Sequence, residues 1–466
     1  MNARILVLPA SLLFGSCMLG PDFKLPDDSG GLKWKASKST AETHLPDNWW
    51  KLFNDPELNR LVDRALAVNN DLAAGKARVD TARALVGVDR ARLFPSLDLT
   101  GSTNASRSSA DVLQRNLPPG ASVDLESQHY RSTFDLAYDP DLWGRNKRAI
   151  EASSAEAAAA QALFDSQRLG LAAEVARQYF LLRGLDAQHS VLKSTLKTRQ
   201  DYLDIQKSRA DAGLTDGITT SRAKTELELV NNDISTVERQ RGAAENALAV
   251  LCGKPPADFA VSHAESNRSL PNIRPGLPAA VLLRRPDVRA AEQELRAANA
   301  KIGVAEAAFY PNFSLSAGGG FESTDVSQFL NWQNRVLAIG AGVALPLIDA
   351  GANKANYRAA QSRYEEALAS YRQSLLIALR EVEDAMVDLK GLAKSRAALE
   401  LAQASSQETL TLSKDRFDKG LTNYFEVVDA ERGTLQIQLA LSQLEAQQRI
   451  TLAALAKALG GGWSGK

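Results

Sequence analysis

The residues with the clearest chemical potential are two carboxylates near the C-terminal end of the chain. Glu426 and Asp429 are three residues apart, so on a helix they lie on one face. Asp429 follows Gly420 by nine residues, and Arg222 follows Gly213 by nine residues, so two separate segments offer opposite charges at equivalent positions. This arrangement permits an ion pair or the attraction of cations. A solvated carboxylate pair on a helix surface has the same spacing, and spacing alone does not separate the two interpretations.

Other arrangements that could perform chemistry lack one or more of their required parts. The triple glycine Gly318–Gly320 is not followed by the Lys-Ser/Thr of a phosphate loop, and Gly340 and Gly342 precede a proline rather than a helix. The four histidines are scattered without metal-ligand spacing, at positions His44, His129, His189 and His263. We therefore expect no catalytic residues, no metal site and no cofactor.

Composition and charge narrow the class of protein further. The chain has 466 residues with 55 basic and 55 acidic side chains, which gives no argument for a nucleic-acid partner. Its two cysteines form no CxxC pair, so the sequence indicates neither a disulfide framework nor a zinc cluster. No stretch after residue 20 approaches the roughly 18 consecutive apolar residues of a transmembrane helix.

The N-terminus has the layout of a secretory signal peptide, with a basic residue, an apolar run and two small residues before Cys17. A cysteine in that place resembles a bacterial lipobox, in which the cysteine becomes the lipidated N-terminus, and Met18 fits sorting to the outer membrane. Phe14 stands at the third position before the cysteine, where a lipobox usually has leucine. An ordinary signal peptide followed by an incidental cysteine therefore remains the alternative interpretation. The expected processing removes residues 1–16 and leaves a covalent lipid on Cys17.

Most of the chain consists of two copies of one pattern. Pro95 in the first copy corresponds to Pro311 in the second, and each follows an aspartate at the same spacing. The sequence KSRADAGLT at 207–215 recurs as KDRFDKGLT at 414–422. A repeat of this length predicts one internally duplicated body. At the end of the first copy Cys252 occupies the place of a leucine, so we expect it to be a buried apolar residue rather than a nucleophile.

Each copy contains a segment long enough for an extended helical hairpin. The segments from Gly144 to Gly213 and from Gly351 to Gly420 contain no proline, and each spans about 70 residues, or roughly 100 Å if fully helical. Apolar residues recur every three or four positions along the second segment, as in coiled-coil helices. Gly213 and Gly420 have the position of helix C-caps, and a second helix is expected shortly after each. The pattern predicts two antiparallel helical hairpins with these glycines at their tips.

Between the helices the apolar period changes from 3.6 to 2, which indicates β-strands. We predict four strands, at about 96–107, 129–139, 312–321 and 335–346, with the alternation that is typical of transmembrane β-barrels. Four strands cannot close a barrel, and open sheet edges are not tolerated in lipid. The chain must therefore oligomerise or keep its sheet out of the membrane. Two chains would supply eight strands and three would supply twelve, and the pattern does not choose between them.

Several motifs together resemble one bacterial family. They are Gly-Pro-Asp-Phe at 20–23, WWKLFNDPEL at 49–58, NNDL at 69–72, DLWGR at 141–145, Gly276-Leu277-Pro278, LRRPDVRAAE at 283–292 and FYP at 309–311. This combination resembles the NodT-type outer-membrane efflux lipoproteins, a branch of the TolC/OprM outer membrane factors. The resemblance covers essentially all of the mature chain.

The resemblance implies a mainly α fold with a β-barrel part. Three chains would share a 12-stranded barrel in the outer membrane of a Gram-negative bacterium and a 12-helix tunnel in the periplasm. The protein would be a passive exit channel of a tripartite efflux or secretion system, not an enzyme, and would dock onto a periplasmic adaptor and an inner-membrane transporter. The alternative class is a structural periplasm-spanning tether without a pore. The predicted strands discriminate against it, because a tether does not need two β-hairpins with a face suited to lipid.

The domain organisation expected from the repeat and the resemblance has six parts. These are a signal peptide (1–16), a lipid anchor with an N-terminal equatorial segment (17–60), a first repeat (61–254), a linker with an equatorial segment (255–275), a second repeat (276–460) and a C-terminal tail (461–466).

The resemblance also assigns a gate near the hairpin tips. Acidic residues at the positions of Glu426 and Asp429 constrict the closed periplasmic mouth, with an arginine three residues later, here Arg432. We hypothesise that Arg222 or Arg432 pairs with Asp429 to hold the mouth shut. A different lock of some family members is absent, because its Tyr, Arg and Asp are replaced here by Phe417, Thr422 and Thr219.

The tips themselves match the adaptor-contacting tips of the family. They are Gly213-Leu214-Thr215 on the first hairpin and Gly420-Leu421-Thr422 on the second. Helix capping alone explains the glycines. It does not require the same Leu-Thr after both glycines, and this repetition favours a contact.

Overall fold

The computed structural model describes residues 18–26, 34–35, 45–111, 124–264, 269–274, 276 and 284–462. The expected signal peptide and Cys17 lie outside these residues. The chain divides into two compact units. Unit 1 comprises the chain up to Leu25 together with residues 80–159 and 292–370, and unit 2 comprises residues 26–79, 160–291 and 371–466. Each unit therefore contains parts of both repeats.

The helices follow the duplication of the sequence. After α1 (Pro56–Val68), the first copy contains α2 (Asn70–Ala91), α3 (Arg145–Asp211) and α4 (Gly217–Leu251). The second copy contains α5 (Pro286–Ala307), α6 (Ala352–Asp418) and α7 (Tyr424–Ala458). Corresponding helices have equal lengths of 22, 67 and 35 residues, which confirms the duplication and the two helical hairpins. Among the described residues, no helix is long and apolar enough to span a membrane.

Four antiparallel strands form one sheet in unit 1, in the order β1 (Ser96–Arg107), β2 (Glu126–Tyr138), β3 (Asn312–Ser323) and β4 (Arg335–Ala344). The two hairpins join through β2 and β3, where Tyr130 pairs with Ser323. β2 begins three residues before the alternation that starts at His129, because Glu126 pairs with Arg107 across the first hairpin. In a single chain β1 and β4 are the two edges of the sheet.

The edge strands carry exposed apolar side chains. Leu97 and Leu99 on β1 and Leu337, Ile339 and Val343 on β4 expose between 63% and 82% of their surface. Within each strand these residues alternate with polar or small ones, so they lie on one face. An exposed apolar face of this kind marks a surface that a membrane or another chain covers.

The core of unit 2 surrounds the beginning of α1. Asp55 caps this helix by accepting a hydrogen bond from the amide of Glu57 at 3.1 Å, and it also accepts one from the Tyr179 hydroxyl at 2.8 Å. Beside it the rings of Phe53 and Phe180 lie 4.8 Å apart. Apolar side chains buried this fully stabilise the fold by about 1.5–3 kcal/mol each, so the core fixes α1 against the long helix α3.

Cys252 lies in this core and is fully buried. Its Sγ atom lies 3.6 Å from the carbonyl oxygen of Leu61, to which the thiol donates a weak hydrogen bond. Burial raises the pKa of the thiol, which disfavours the reactive thiolate. The prediction of a buried apolar role is confirmed.

Candidate functional site

Each hairpin tip is closed by the same backbone arrangement. Gly213 has φ +70°, its amide donates to the Ala210 carbonyl at 2.9 Å, and the Leu214 amide donates to the Arg209 carbonyl at 2.8 Å. This is a Schellman motif, which needs a left-handed residue that glycine supplies without strain. Gly420 repeats the motif with φ +70° and with equivalent hydrogen bonds. The predicted helix caps are confirmed at both tips.

The side chains of the tip leucines take no part in the caps. A hydrophobic residue at this position of a Schellman motif often packs back onto the helix. Leu214, however, exposes 74% of its surface and Leu421 exposes 68%. Thr215 and Thr422 follow them and are half-buried. Both tips therefore expose a leucine side chain that another protein could contact.

The helices that leave the tips begin with side-chain caps. The Asp216 carboxylate accepts a hydrogen bond from the Thr219 amide at 2.9 Å and another from the Thr219 hydroxyl at 2.8 Å. These hydrogen bonds lower the pKa of Asp216. Asn423, the corresponding residue of the second copy, caps α7 in the same way through the Phe425 amide at 3.0 Å. Thr219 therefore forms part of the N-terminal cap of α4.

The carboxylates predicted for the gate lie on the exposed surface of α7. Glu426 is 3.6 Å from Arg416 of α6, and both side chains are about half exposed. Within the described part of a single chain, Asp429 and Arg222 have no ion pair shorter than 4 Å, and both are exposed. Arg432 instead binds Glu226 of α4, with its Nε atom 3.0 Å from the carboxylate. One chain alone therefore pairs Arg432 with a residue other than Asp429, and a pair with Asp429 stays a prediction.

Arg432 belongs to a larger group, which we call the inter-hairpin charge cluster. Its members, one or two from each of the four hairpin helices, are Arg199 (α3), Glu226 (α4), Lys414 (α6), Glu431 and Arg432 (α7). Arg199 is 2.9 Å from Glu431 and 3.8 Å from Glu226, and Lys414 is 3.1 Å from Glu431. The side chain of Arg199 is only 3% exposed, and those of the two glutamates are 9–10% exposed. The cluster fastens the second hairpin to the first.

Aromatic rings reinforce the same contact. Tyr202 of α3 stacks on Tyr424 of α7 with the ring centroids 3.3 Å apart, and the edge of Phe417 meets Tyr424 at 5.4 Å. Burial raises the pKa of both tyrosine hydroxyls above the ordinary value of 10.0, so both stay neutral. Rings and charges together hold α3 and α7 side by side close to the tips.

Sequence reasoning missed both features, although the repeat contains the signal. When the two tip glycines are matched, Arg199 corresponds to Ser406 and Glu226 to Gly433. Tyr202 corresponds to a threonine. A comparison of the copies along the whole hairpin, rather than only near the tip, identifies these positions as places where the copies differ.

Two of the four histidines meet, contrary to their scattered positions in the sequence. The rings of His189 and His263 lie 5.4 Å apart. His189 is 3.2 Å from Glu238, and His263 is 2.9 Å from the buried Asp186. Among the described residues, no group of three or more His, Cys, Asp and Glu side chains is arranged to hold a metal ion.

Comparisons with known proteins agree with this architecture. The family described as "Outer membrane efflux protein" matches residues 61–254 and 277–461. The chain is 31% identical to the outer membrane protein OprJ of Pseudomonas aeruginosa over 97% of this chain and 94% of that relative. It is also 31% identical to the toluene efflux pump outer membrane protein TtgI of Pseudomonas putida, over 100% and 99% of the two chains.

Solved structures show the same fold. The outer-membrane channel OprN superposes with a TM-score of 0.87 at 30% identity, covering 96% of this chain and 100% of that chain. The open state of the Neisseria gonorrhoeae MtrE outer membrane channel gives a TM-score of 0.84 at 28% identity, covering 96% and 99%. These similarities favour a channel over a tether without a pore. The chain belongs to the outer membrane efflux protein family and is an efflux channel of the Gram-negative outer membrane.

Proposed function

We propose that three copies of this chain form the exit channel of a tripartite efflux system, which receives its substrates from a periplasmic adaptor and an inner-membrane transporter. The observation that carries the proposal is the open sheet. β1 and β4 are unpaired edges in a single chain and expose apolar residues, and lipid tolerates an apolar face but not an open edge. The open edges require more than one copy, and two copies would already supply the roughly eight strands that a barrel needs. The resemblance to the outer membrane factors favours three copies and twelve strands. In this proposal the inner-membrane transporter selects the substrate, and the channel conducts it passively.

The gate of this channel is proposed to lie near the hairpin tips. In three copies, Glu426 and Asp429 place six carboxylates around one axis, which attracts cations. Arg222 and Arg432 supply the compensating charge, Arg222 from the hairpin of a neighbouring copy. The inter-hairpin charge cluster supports this placement, because it already brings opposite charges from the two hairpins together one turn deeper.

The adaptor is proposed to bind at the tips, through Gly213-Leu214-Thr215 and Gly420-Leu421-Thr422. The exposed leucines support this assignment, because the Schellman motifs are complete without burying them. A covalent lipid on Cys17 is proposed to anchor the N-terminus to the outer membrane. Cys17 lies outside the described residues, and the support is its place after an apolar run and two small residues.

Reconstitution of the purified full-length protein tests the channel. We expect discrete conductance steps in a planar bilayer and a particle mass of three chains, about 150 kDa from the 50.3 kDa of one chain. A monomer that leaves the bilayer non-conducting overturns the proposal.

The gate has a separate test in the same assay. Asp429→Ala removes the acidic partner of the proposed ion pair with Arg222 or Arg432 that holds the mouth shut, so it is expected to raise the single-channel conductance. The matched control is Asp384→Ala, which removes a charge that is 70% exposed and lies in the middle of α6 rather than at the tip. Equal conductance of the two variants and the wild type contradicts the assignment of the gate to Asp429.

A further inference from the structure

The two helical hairpins of one chain meet at a place that has no room for a further side chain. A Cβ atom added to Gly184 of α3 would lie 2.5 Å from the Cβ atom of Ala446 on α7. Carbon atoms in ordinary contact are about 3.5–4.0 Å apart. Because the Cβ atom of Ala446 is fixed to the backbone, no side-chain rotation relieves such an overlap, and one of the helices has to move. We call Gly184 and Ala446 the hairpin crossing.

The crossing lies on the same line of contact as the inter-hairpin charge cluster. Fifteen residues separate Gly184 from Arg199 on α3, and fifteen residues separate Ala446 from Glu431, the partner of Arg199, on α7. The two helices therefore run antiparallel and side by side from the crossing to the cluster. At 1.5 Å per residue this distance is about 22 Å.

On the side of the crossing that points away from the tips, both helices enter the core of unit 2. Ala176 of α3 and Ala453 of α7 are buried in the same apolar cluster. They lie eight and seven residues from the crossing, or about 12 Å along the helices. Separating the helices at this level would expose buried apolar surface, which opposes the movement.

On the side that points toward the tips, the contact is more polar. α3 and α7 border a groove whose lining includes Ser194, Gln438 and Glu445. Leu435 and Leu439 of α7 are only partly buried against the first hairpin. Separation here exposes less apolar surface than it would in the core, so the hairpins part more easily on this side of the crossing.

We propose that the hairpin crossing sets the angle between the two hairpins, and that Gly184 is thereby a positioning residue for the periplasmic gate. The proposal rests on the gate proposed above. The core holds α3 and α7 together on one side of the crossing, and the contacts on the other side can separate. A small change in the spacing at the crossing is therefore converted into a larger change at the tips.

The distances along the helices give the size of this change. Gly184→Ala has to push the helices apart by about 1.3 Å, from 2.5 Å to an ordinary contact of about 3.8 Å. Over the roughly 12 Å that separate the crossing from the core, this displacement is a rotation of about 6°. Gly213 at the tip lies 29 residues beyond the crossing, or about 44 Å, so the tips separate by about 6 Å.

The chain also supplies a matched control. Gly170 lies on α3 as well, and a Cβ atom there would meet nothing within 4 Å. Gly391, which corresponds to Gly184 when the tip glycines are matched, has the same open space in a single chain. In a ring of three copies, however, the helix that faces Gly391 would belong to a neighbouring copy. Gly170→Ala is therefore the better control.

A distance measurement tests the angle directly. Spin labels at Leu214→Cys and Leu421→Cys, in full-length protein diluted with unlabelled chains, report the separation of the two tips by double electron–electron resonance. We expect Gly184→Ala to lengthen this distance by about 6 Å and Gly170→Ala to leave it unchanged. Equal distances in the two variants overturn the proposal.

A compensating change at Ala446 tests whether the contact itself is responsible. In Gly184→Ala combined with Ala446→Gly, the methyl group is moved from one helix to the other, and the nearest remaining atoms of α7 lie 3.9 Å from the new Cβ atom. We therefore expect the wild-type tip distance to return. A distance that stays long in the double variant overturns the proposal.

Conductance in a planar bilayer separates the crossing from the gate. We expect Gly184→Ala to conduct more than the wild type, and the double variant and Gly170→Ala to conduct as the wild type does. Longer tip distances without a change in conductance leave the angle assigned to the crossing and overturn the gate at the tips instead.

The single variant Ala446→Gly distinguishes positioning from simple stability. If the contact only stabilised the fold, Gly184→Ala and Ala446→Gly would both loosen the hairpins and both would raise the conductance. The proposed role predicts that Ala446→Gly lets the helices approach and does not raise the conductance. A conductance above that of the wild type in Ala446→Gly overturns the proposal, even if Gly184→Ala does not assemble.

Discussion

Glu431→Gln is the sharpest test of the inter-hairpin charge cluster. Glutamine keeps the size of the side chain and one oxygen, but it removes the charge that binds Arg199 at 2.9 Å and Lys414 at 3.1 Å. Among the described residues, Arg199, which is 3% exposed, then keeps one carboxylate partner, Glu226 at 3.8 Å, and Arg432 shares that carboxylate. In the variant, the buried guanidinium of Arg199 therefore has one neighbouring carboxylate instead of two.

The cost of this change follows from the burial. Removing one partner of a fully buried pair costs roughly 3–5 kcal/mol, and a hydrogen bond to a charged group contributes about 1.5–3 kcal/mol. Because Lys414 and Arg432 are about half exposed, we take about 2–3 kcal/mol. If the hairpins separate on opening, the closed state alone loses this stabilisation, and the ratio of open to closed channels rises roughly 30- to 150-fold.

The assay is the open fraction of single channels in a planar bilayer. Asp384→Asn is the matched control, because it removes the same charge from a pair with Arg380 that is 3.9 Å apart and about 70% exposed. Exposed pairs contribute about 0–1 kcal/mol, so the control changes the ratio by less than about fivefold. The effect of Glu431→Gln is expected to persist in high salt, which screens exposed charges far more than buried ones.

One result refutes the reasoning. If Glu431→Gln lowers the thermal stability of the trimer but has the open fraction of the control, the cluster stabilises both states equally. It would then be a packing feature of the hairpins and no part of a gate.

Two further predictions concern the tips and the acid stability of unit 2. Leu214→Asp combined with Leu421→Asp should abolish export in cells while changing folding stability by less than about 0.5 kcal/mol, because both leucines are exposed; export at the wild-type level contradicts an adaptor contact there. Asp287 is partly desolvated, which opposes ionisation, but hydrogen bonds from Arg285 lower its pKa below the ordinary 3.8. The stabilisation that ionised Asp287 contributes is therefore present above pH 3.8 and is lost as the pH falls through its lower pKa in the folded state. In Asp287→Asn, the loss of stability at acid pH, followed by circular dichroism, should therefore depend less on pH. An unchanged acid midpoint contradicts this.

The helices and strands could be predicted because their signals are local. Glycine after a proline-free periodic segment marks a helix end wherever it occurs, and the caps at Gly213 and Gly420 follow from a few neighbouring residues. The alternation in the strands is equally local. The number of chains in the barrel is not local, because it depends on edges that only other chains can satisfy.

The contact between Arg432 and Glu226 shows what the distance in residues from a tip glycine predicts and what it leaves out. Positions at nearly equal distances from the two tips do meet: Arg432, counted from Gly420, is only one position closer to its tip than Glu226 is to Gly213. The same kind of count, applied nearer the tips, selected Arg222 and Asp429. The count ignores which face of each helix is packed, and Arg222 lies outside the buried stripe of α4 that includes Glu226.

The divergence between the copies has an electrostatic reason. Suppose that equivalent helices of two identical hairpins pack together at equal distances from their tips. The same residue then lies on both sides of the contact, and a buried glutamate would face a glutamate. Like charges at short distance destabilise a contact, and burial increases the penalty. A duplicated chain can share its packing residues between copies, as the equivalent glycines show, but where equivalent helices meet at equal heights it can bury an ion pair only if the two sequences differ there. Glu226, opposite Arg432 and replaced by Gly433 in the second copy, meets this condition. In a protein built from two copies of one pattern, buried charged residues without a charged counterpart therefore mark places where equivalent helices of the two copies can form an ion pair.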